Sequence, residues 1–351
     1  MNHPRGAVAT PSLRKILCLP ATQSAFQLSR QPCQPYYSKA HKDNHIQDGA
    51  RQIMAQIILL DGGMGQELLA RSGDEPTPLW ATRVMLDNPG LVRDIHTAYF
   101  AAGASIATTN TYAIHHDRLA GFGLDPMFHA LHLRALAEAH EAKAAHGGGQ
   151  IAGSMGPLIA SYRPEVTLPV DQAAPLYAEI AGILGPHVDL IICETMASVL
   201  MCEGAILGAR AANRPVWLSI TVDDHDGTRL RSGELIADLH PILLNSPVTA
   251  ILANCSVPEA MAAAMGALAT FALPFGAYAN GFTHISGNFL QNAATVKELT
   301  HRHDLTPEKY ADFAMSWVEQ GATIIGGCCE VGPAHIHHLA NRLRAAGHHI
   351  Q

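Results

Sequence analysis

No stretch of 18 uncharged apolar residues occurs in the 351-residue chain, so no membrane-spanning helix is expected. Charge is scarce, at 15% Asp, Glu, Lys and Arg, and the net charge is -7. Within residues 1–53, seven Lys/Arg face only Asp43 and Asp48, which leaves the remainder at about -12. An acidic body with no basic stripe argues against nucleic acid as a partner. The seven cysteines show no dense spacing pattern. That speaks against a secreted disulfide scaffold and for a reducing, cytoplasmic setting. Two nucleotide signatures are missing as well. There is no G-x-G-x-x-G dinucleotide fingerprint and no Gly-Lys-Ser/Thr phosphate loop.

Residues 1–53 are rich in Pro, Gln, Ser and basic residues, with no acidic residue before Asp43. They read as a disordered tail, an upstream extension from a misplaced start, or a targeting leader. Met54 opens Met-Ala-Gln-Ile-Ile-Leu-Leu-Asp, a natural start directly before a strand.

From Ile57 onward, short apolar runs alternate with longer amphipathic ones. The runs predict eight strands: 57–61, 104–109, 150–154, 188–194, 215–221, 248–254, 274–280 and 323–327. Helical patterns fall at 91–101, 126–145, 171–184, 198–212, 234–244, 258–270, 307–320 and about 333–346. Pro258, Pro307 and Pro333 suit first helical positions. Asp171 and Thr306 suit N-caps, and Gly103 and Gly321 suit left-handed helix exits.

Strand-helix alternation over about 290 residues predicts an α/β fold, a single-domain (β/α)8 TIM-type barrel spanning 54–351. A doubly wound open sheet is the alternative. The barrel is preferred because Asp61, Asn110, Ser154, Glu194, Asp223, Asn254, Asn280 and Cys328 all sit at or just past strand C-termini. In a barrel those ends ring one mouth.

Cys328 and Cys329 are adjacent, directly after Gly326-Gly327 at a strand end. Successive strand side chains point to opposite faces, so two neighbouring thiols converge only if the backbone turns, and glycine permits such a turn. Cys255 ends another buried run, 73 positions earlier than Cys328. Three thiols at two strand ends make a candidate zinc (Zn2+) site whose fourth position stays open, as in catalytic rather than structural zinc. Cys193 and Cys202 read as ordinary buried cysteines.

Asp61 precedes Gly62-Gly63-Met64-Gly65, whose backbone N–H groups can hold a small anion; an ordinary strand-to-helix turn is the alternative. Glu194 exits a buried strand, where a carboxylate needs a cationic partner from a ligand or a neighbouring side chain. Trp80, Tyr112 and Tyr162 fall in loops on the same side and can face a cation. His115 and His116 also lie beyond the second strand. His335 and His338 share a helix face and read as solvated rather than ligating.

The chain resembles the homocysteine S-methyltransferase family. The resemblance rests on Asp61-Gly62-Gly63-Met64-Gly65, Thr109-Asn110-Thr111-Tyr112, Gly153-Ser154-Met155-Gly156-Pro157, Cys193-Glu194-Thr195, Ala253-Asn254-Cys255 and Gly326-Gly327-Cys328-Cys329, in family order across about residues 54–346. It implies a zinc-bearing barrel that moves a methyl group to the thiol of L-homocysteine and forms methionine. Cys255, Cys328 and Cys329 would hold the zinc and carry catalysis. Asp61 and Glu194 would meet the amino group, the backbone at Gly62 and Gly63 the carboxylate, and Thr109 and Asn254 would join the substrate-binding set. Partners would be small molecules only, and the chain a monomer or small homo-oligomer.

Two departures bear on the methyl donor. Leu158 replaces the family's usual aromatic after Gly156-Pro157, and Glu330-Val331-Gly332-Pro333 replaces the frequent Arg-Thr-Thr-Pro. The chain stops just after the last helix, without the betaine branch's C-terminal extension, and has no Asp-x-His-x-x-Gly cobalamin motif. A sulfonium donor, S-methylmethionine or S-adenosylmethionine, is therefore expected. The alternatives are a betaine-type or other-donor thiol methyltransferase, a zinc hydrolase on the same barrel, and a non-catalytic zinc-thiolate sensor. Three thiolates make zinc a poor Lewis acid for hydrolysis.

Overall fold

Buried parallel strands carry apolar residues on both faces, and the chain supplies such runs at regular intervals. The structure, a computed structural model, describes residues 55–291 and 295–351. The leader or extension expected at 1–53 lies outside the described residues.

Each expected strand is present. The chain runs β1 (Gln56–Leu59), α1 (Met64–Ser72), α2 (Trp80–Asp87), α3 (Leu91–Ala102), β2 (Ile106–Thr108), α4 (His116–Ala120), α5 (Phe128–His146) and β3 (Gln150–Met155). It continues through α6 (Val170–Leu184), β4 (Leu190–Met196), α7 (Val199–Ala209), β5 (Val216–Ile220), α8 (His240–Leu243) and β6 (Val248–Asn254). It ends with α9 (Pro258–Leu268), β7 (Phe275–Tyr278), α10 (Pro307–Glu319), β8 (Ile324–Ile325), α11 (Pro333–Ala345) and β9 (His349–Ile350).

Neighbouring strands follow one another in sequence, in the order β2-β3-β4-β5-β6-β7-β8-β1-β9, and every pairing is parallel. A parallel bridge between Leu60 and Ile106 joins β1 to β2 and closes the ring. This is the TIM-type barrel, because a doubly wound sheet would reverse its strand order at a switch point. The alternation of side chains is visible in the packing. Leu60, Ile106, Ala152, Leu190, Ile192, Trp217, Leu252 and Ile324 form a cluster inside the ring. Their sequence neighbours Leu59, Ile151, Ile191, Leu218, Ile251 and Ile325 pack outward with the helices.

Helix ends follow local chemistry. Thr306 caps α10 by accepting from the Lys309 N–H, and Ser198 caps α7 through Met201. Gly103 and Gly321 take positive φ after α3 and α10.

Four local expectations are corrected. Asp171 lies in the first turn of α6, and Pro169 occupies the cap. The helix expected at 234–244 reduces to a 3-10 turn at Ile236–Leu239 and the single turn α8. There Pro241 confines the helix to its last turn, while the Glu234 carboxylate accepts from Ser232 and the Val199 N–H outside it. Trp80 starts α2 rather than lying in a loop. The terminal β9 was not expected; it adds beside Gln56 and Ile57 at the entry end of β1.

Candidate functional site

The strand exits surround one cavity. Asp61, Gly62, Gly63, Thr109, Asn110, Ser154, Glu194, Cys255, Cys328 and Cys329 line it, with Trp80, Tyr112, Tyr162, Tyr278 and Phe282. Asp223, Asn254 and Asn280 do not reach its wall.

Cys255 follows β6 directly and takes φ 48°, a left-handed conformation that turns its thiol away from the strand's alternation. Its N–H donates to the Tyr278 carbonyl at 3.2 Å. The Cys328 N–H donates to the Ala279 carbonyl, and the Cys329 carbonyl accepts from Gly281. Two segments remote in sequence are thereby pinned to β7 and its exit. The Sγ atoms of Cys255, Cys328 and Cys329 all lie within 4.8 Å of one another. Cys255 and Cys328 form a disulfide, their Cα atoms 5.8 Å apart, and Cys329 is a free, buried thiol. Cys193 and Cys202 are also free and buried, away from this cluster.

The four glycines here serve close approach rather than left-handed backbone. A Cβ on Gly62 would meet the Val331 carbonyl oxygen at 2.0 Å, and one on Gly63 the Cys328 carbonyl oxygen at 2.7 Å. On Gly326 it would meet Leu60 at 2.5 Å, and on Gly327 Val331 at 2.2 Å. None of the four has positive φ. The expectation that Gly326-Gly327 ease the turn through conformational freedom is thus corrected: side-chain-free backbone lets the β8 exit lie against the β1 exit.

Asp61 is buried. Its Oδ2 accepts from the Thr108 N–H at 2.7 Å and its Oδ1 from the Thr108 hydroxyl at 2.8 Å. Burial outweighs these bonds and pushes its carboxyl up to about 7. His96 Nδ1 lies 3.9 Å from Oδ2, and burial drives that imidazole down to about 3, so it stays neutral. Glu194 is likewise buried, with its carboxyl raised by desolvation. The Ser154 hydroxyl donates to Oε1 and the Tyr278 hydroxyl to Oε2, the latter at 3.2 Å. Arg118 also lines the cavity, but it donates to the Pro157 carbonyl and lies over the Tyr112 ring; two buried carboxyls that it does not pair with are a receptor for a ligand's positive charge.

The other expected residues divide. Thr109 lines the cavity, but its hydroxyl accepts from the Ser154 N–H at 3.1 Å and pairs with Thr111. The Gly63 N–H is spent on the Val331 carbonyl at 3.0 Å. Asn254 is corrected: its amide is fully buried and bonds to Thr195 and Ser219 behind the wall. Asp223 holds a local turn through the N–H groups of His225 and Asp226. His115 lines a separate small pocket, and His116 pairs with Asp125 and Glu179. His335 bonds the Leu305 carbonyl.

Sequence reasoning missed several residues. Tyr278 lies on lumen parity at the end of β7, a signal that was readable. Gln66, its amide buried beside the Cys329 thiol, lines the cavity from the first turn of α1. Arg231 pairs with Asp224 at 2.9 Å, lies 5.1 Å over the Tyr162 ring, and donates to the Cys255 carbonyl. No spacing rule announces that bracket.

The homocysteine S-methyltransferase family model matches residues 58–343. The homocysteine S-methyltransferase of Escherichia coli (strain K12) is 31% identical over 304 residues, covering 82% of this chain and 95% of that protein. Homocysteine S-methyltransferase YbgG of Bacillus subtilis (strain 168) is 26% identical, covering 81% and 93%. Among solved structures, the E. coli homocysteine methyltransferase MmuM in its metallated form superposes with a TM-score of 0.68 at 29% identity, covering 82% of this chain and 96% of that one. Its oxidized form gives 0.69 at the same identity and coverage. The chain belongs to the homocysteine S-methyltransferase family.

Proposed function

We propose that this methyltransferase moves a methyl group from a sulfonium donor, S-methylmethionine or S-adenosylmethionine, to the thiol of L-homocysteine, with zinc held by Cys255, Cys328 and Cys329. The observation that carries the reading is the meeting of three sulfurs within 4.8 Å in the same cavity as two buried carboxyls. Three thiolates suit zinc in ligand type and number and leave one position for substrate. Both sulfurs of the Cys255–Cys328 pair must be reduced to serve, which fits a cytoplasmic setting.

When bound, zinc ionises the acceptor thiol and keeps it nucleophilic at neutral pH. Asp61 and Glu194 take the ammonium of homocysteine, and its charge offsets their burial. With the Gly63 N–H already committed, the carboxylate is left to the Gly62 N–H and the first-turn N–H groups of α1, at the positive end of that helix. Ser154 and Tyr278 hold the Glu194 carboxylate in place. Trp80, Tyr112, Tyr162 and Phe282 give the wall an aromatic character that favours a cationic methyl donor. The acceptor sulfur forms a bond to the methyl carbon as the donor's carbon–sulfur bond breaks. The donor leaves as a neutral thioether, so charge is lost and no general base is required. Alignment of the two sulfurs with the methyl supplies on the order of 7 kcal/mol or more in favourable cases. The product, methionine, makes this an amino-acid biosynthetic step.

The test is a donor panel on reduced, zinc-supplemented protein: homocysteine with S-methylmethionine, S-adenosylmethionine, betaine or methyl-folate, and methionine measured. Turnover with a sulfonium donor is expected. Turnover with betaine or methyl-folate alone would overturn the donor assignment, and none with any donor would overturn the whole reading.

A further inference from the structure

An irregular stretch of barrel backbone lies directly behind Glu194. Along β4, Leu190 and Ile192 face the lumen and Cys193 faces the helices. Alternation would send Met196 inward, yet Met196 packs outward with the helices. The register against β5 shifts between Cys193 and Met196. Thr195 absorbs the shift at φ 62°, a left-handed conformation that a β-branched side chain resists.

One side chain answers this irregularity. Asn254, at the end of β6, is fully buried and absent from the cavity wall. Its Oδ1 accepts from the Thr195 N–H at 2.9 Å, and its Nδ2 donates to the Thr195 hydroxyl oxygen at 2.9 Å. The Ser219 hydroxyl donates to the same Oδ1 at 2.9 Å and orients the amide. Both ends of the amide thus grip one residue. Asp would lose the donor, and Ser is too short to span both atoms. The chain then passes straight into Cys255, another left-handed residue of the site.

We propose that Asn254 is a positioning residue: its amide locks the left-handed bulge at Thr195 and so holds the backbone directly after Glu194, fixing where that carboxyl stands in the cavity, while its backbone delivers Cys255 to the same place. It touches neither substrate nor metal. One buried amide then ties the ammonium subsite on β4 to the sulfur cluster at the exit of β6. This rests on the reading of Glu194 as the ammonium contact.

The test is a double-mutant cycle of Asn254→Ala with Thr195→Gly, since glycine adopts positive φ without strain. Asn254→Ala is expected to raise KM for homocysteine about tenfold or more with a smaller fall in kcat. Bound zinc per chain, measured alongside, is expected to match the unmutated protein, which separates aiming from metal loss. In the Thr195→Gly background the same substitution is expected to change KM by no more than about threefold. Thermal unfolding of the four proteins runs the cycle without substrate, and the Tm loss from Asn254→Ala is expected to shrink in the same way. Equal losses in both backgrounds, in KM and Tm alike, overturn the clamp. Coupling in Tm alone overturns its part in substrate binding, and Glu194→Gln with unchanged KM then places the fault in the Glu194 assignment. If Asn254→Ala does not fold, Asn254→Asp, which keeps the volume and Oδ1 but not the donor, replaces it with the same criteria.

Discussion

Asp61→Asn separates the electrostatics of the site from its packing. The Asp61 carboxyl stands at about 7 against an ordinary 3.8, with burial as the cause. A gap of about three pH units corresponds to at most about 4 kcal/mol between its protonation states. Because the folded value is raised, its contribution to stability is fully present below about 3.8 and is lost as pH rises to about 7. Asn removes the titration while keeping the shape: its amide oxygen can accept from the Thr108 N–H and its NH2 can donate to the Thr108 hydroxyl. Relative to the unmutated protein, Asp61→Asn is therefore expected to gain about 3 kcal/mol of stability between pH 5 and pH 8. Reversible denaturant unfolding at the two pH values reads this directly.

Binding moves the other way. On the proposed reading, the ammonium of homocysteine would supply the counter-charge that burial withholds, so substrate binding would draw the proton off Asp61. Losing that charge-assisted contact, worth about 1.5–3 kcal/mol, should raise KM for homocysteine about 10- to 100-fold near pH 8. On the proposed reading, metal-linked thiol ionisation would also make KM depend on pH. The diagnostic is consequently the difference between the two proteins: below about 7, the unmutated enzyme's KM should climb more steeply than that of Asp61→Asn. A variant with unchanged KM near pH 8, or one whose stability follows the parent's pH dependence, would refute the reasoning.

Three further outcomes are expected. Zinc uptake should require a thiol reductant, and Cys255→Ser, Cys328→Ser or Cys329→Ser should each lower bound zinc and abolish turnover; full zinc retention in any one of them would remove that sulfur from the ligand set. Gly62→Ala drives a Cβ to 2.0 Å from the Val331 carbonyl oxygen, so it should lower stability by about 1–3 kcal/mol, read as a drop in Tm. Arg231→Ala strands Asp224, whose side chain is only 8% exposed, and should cost about 3–5 kcal/mol in denaturant unfolding.

The barrel was legible because strands buried on both faces leave apolar runs that nothing else in a soluble domain imitates at that spacing. The run Val248–Asn254 is β6 residue for residue. The meeting of Cys255 with the vicinal pair was legible too, since adjacent thiols at a strand exit have no packing rationale. What Gly62, Gly63, Gly326 and Gly327 do was not. Their role is clearance between the β1 and β8 exits, a contact between segments some 260 positions apart. The contacts of Arg231 with Cys255 and Tyr162, and the pairing of β9, escaped for the same reason: each joins segments remote in sequence.

The failures of local reading concentrate on one side of the barrel. Among the described residues eight non-glycine residues hold positive φ: Ile159, Tyr162, Thr195, Cys255 and Glu330 follow strand exits or lie within a strand, and Trp80 starts α2 at the cavity wall. The other two, Asn213 and Ala272, sit where chains return from helices to strands. Residues held in such conformations persist only where surrounding bonds over-determine them. Thr195 has the Asn254 amide, and the Cys255 carbonyl has Thr221 and Arg231. A strand that kept its alternation to the last residue would point Glu194 inward but could not reverse the parity of Met196 two residues on. Nor could β6 turn Cys255 toward Cys328. The departure that defeats a period-2 reading at Cys255 is the one that brings its sulfur to the vicinal pair beside the two carboxyls.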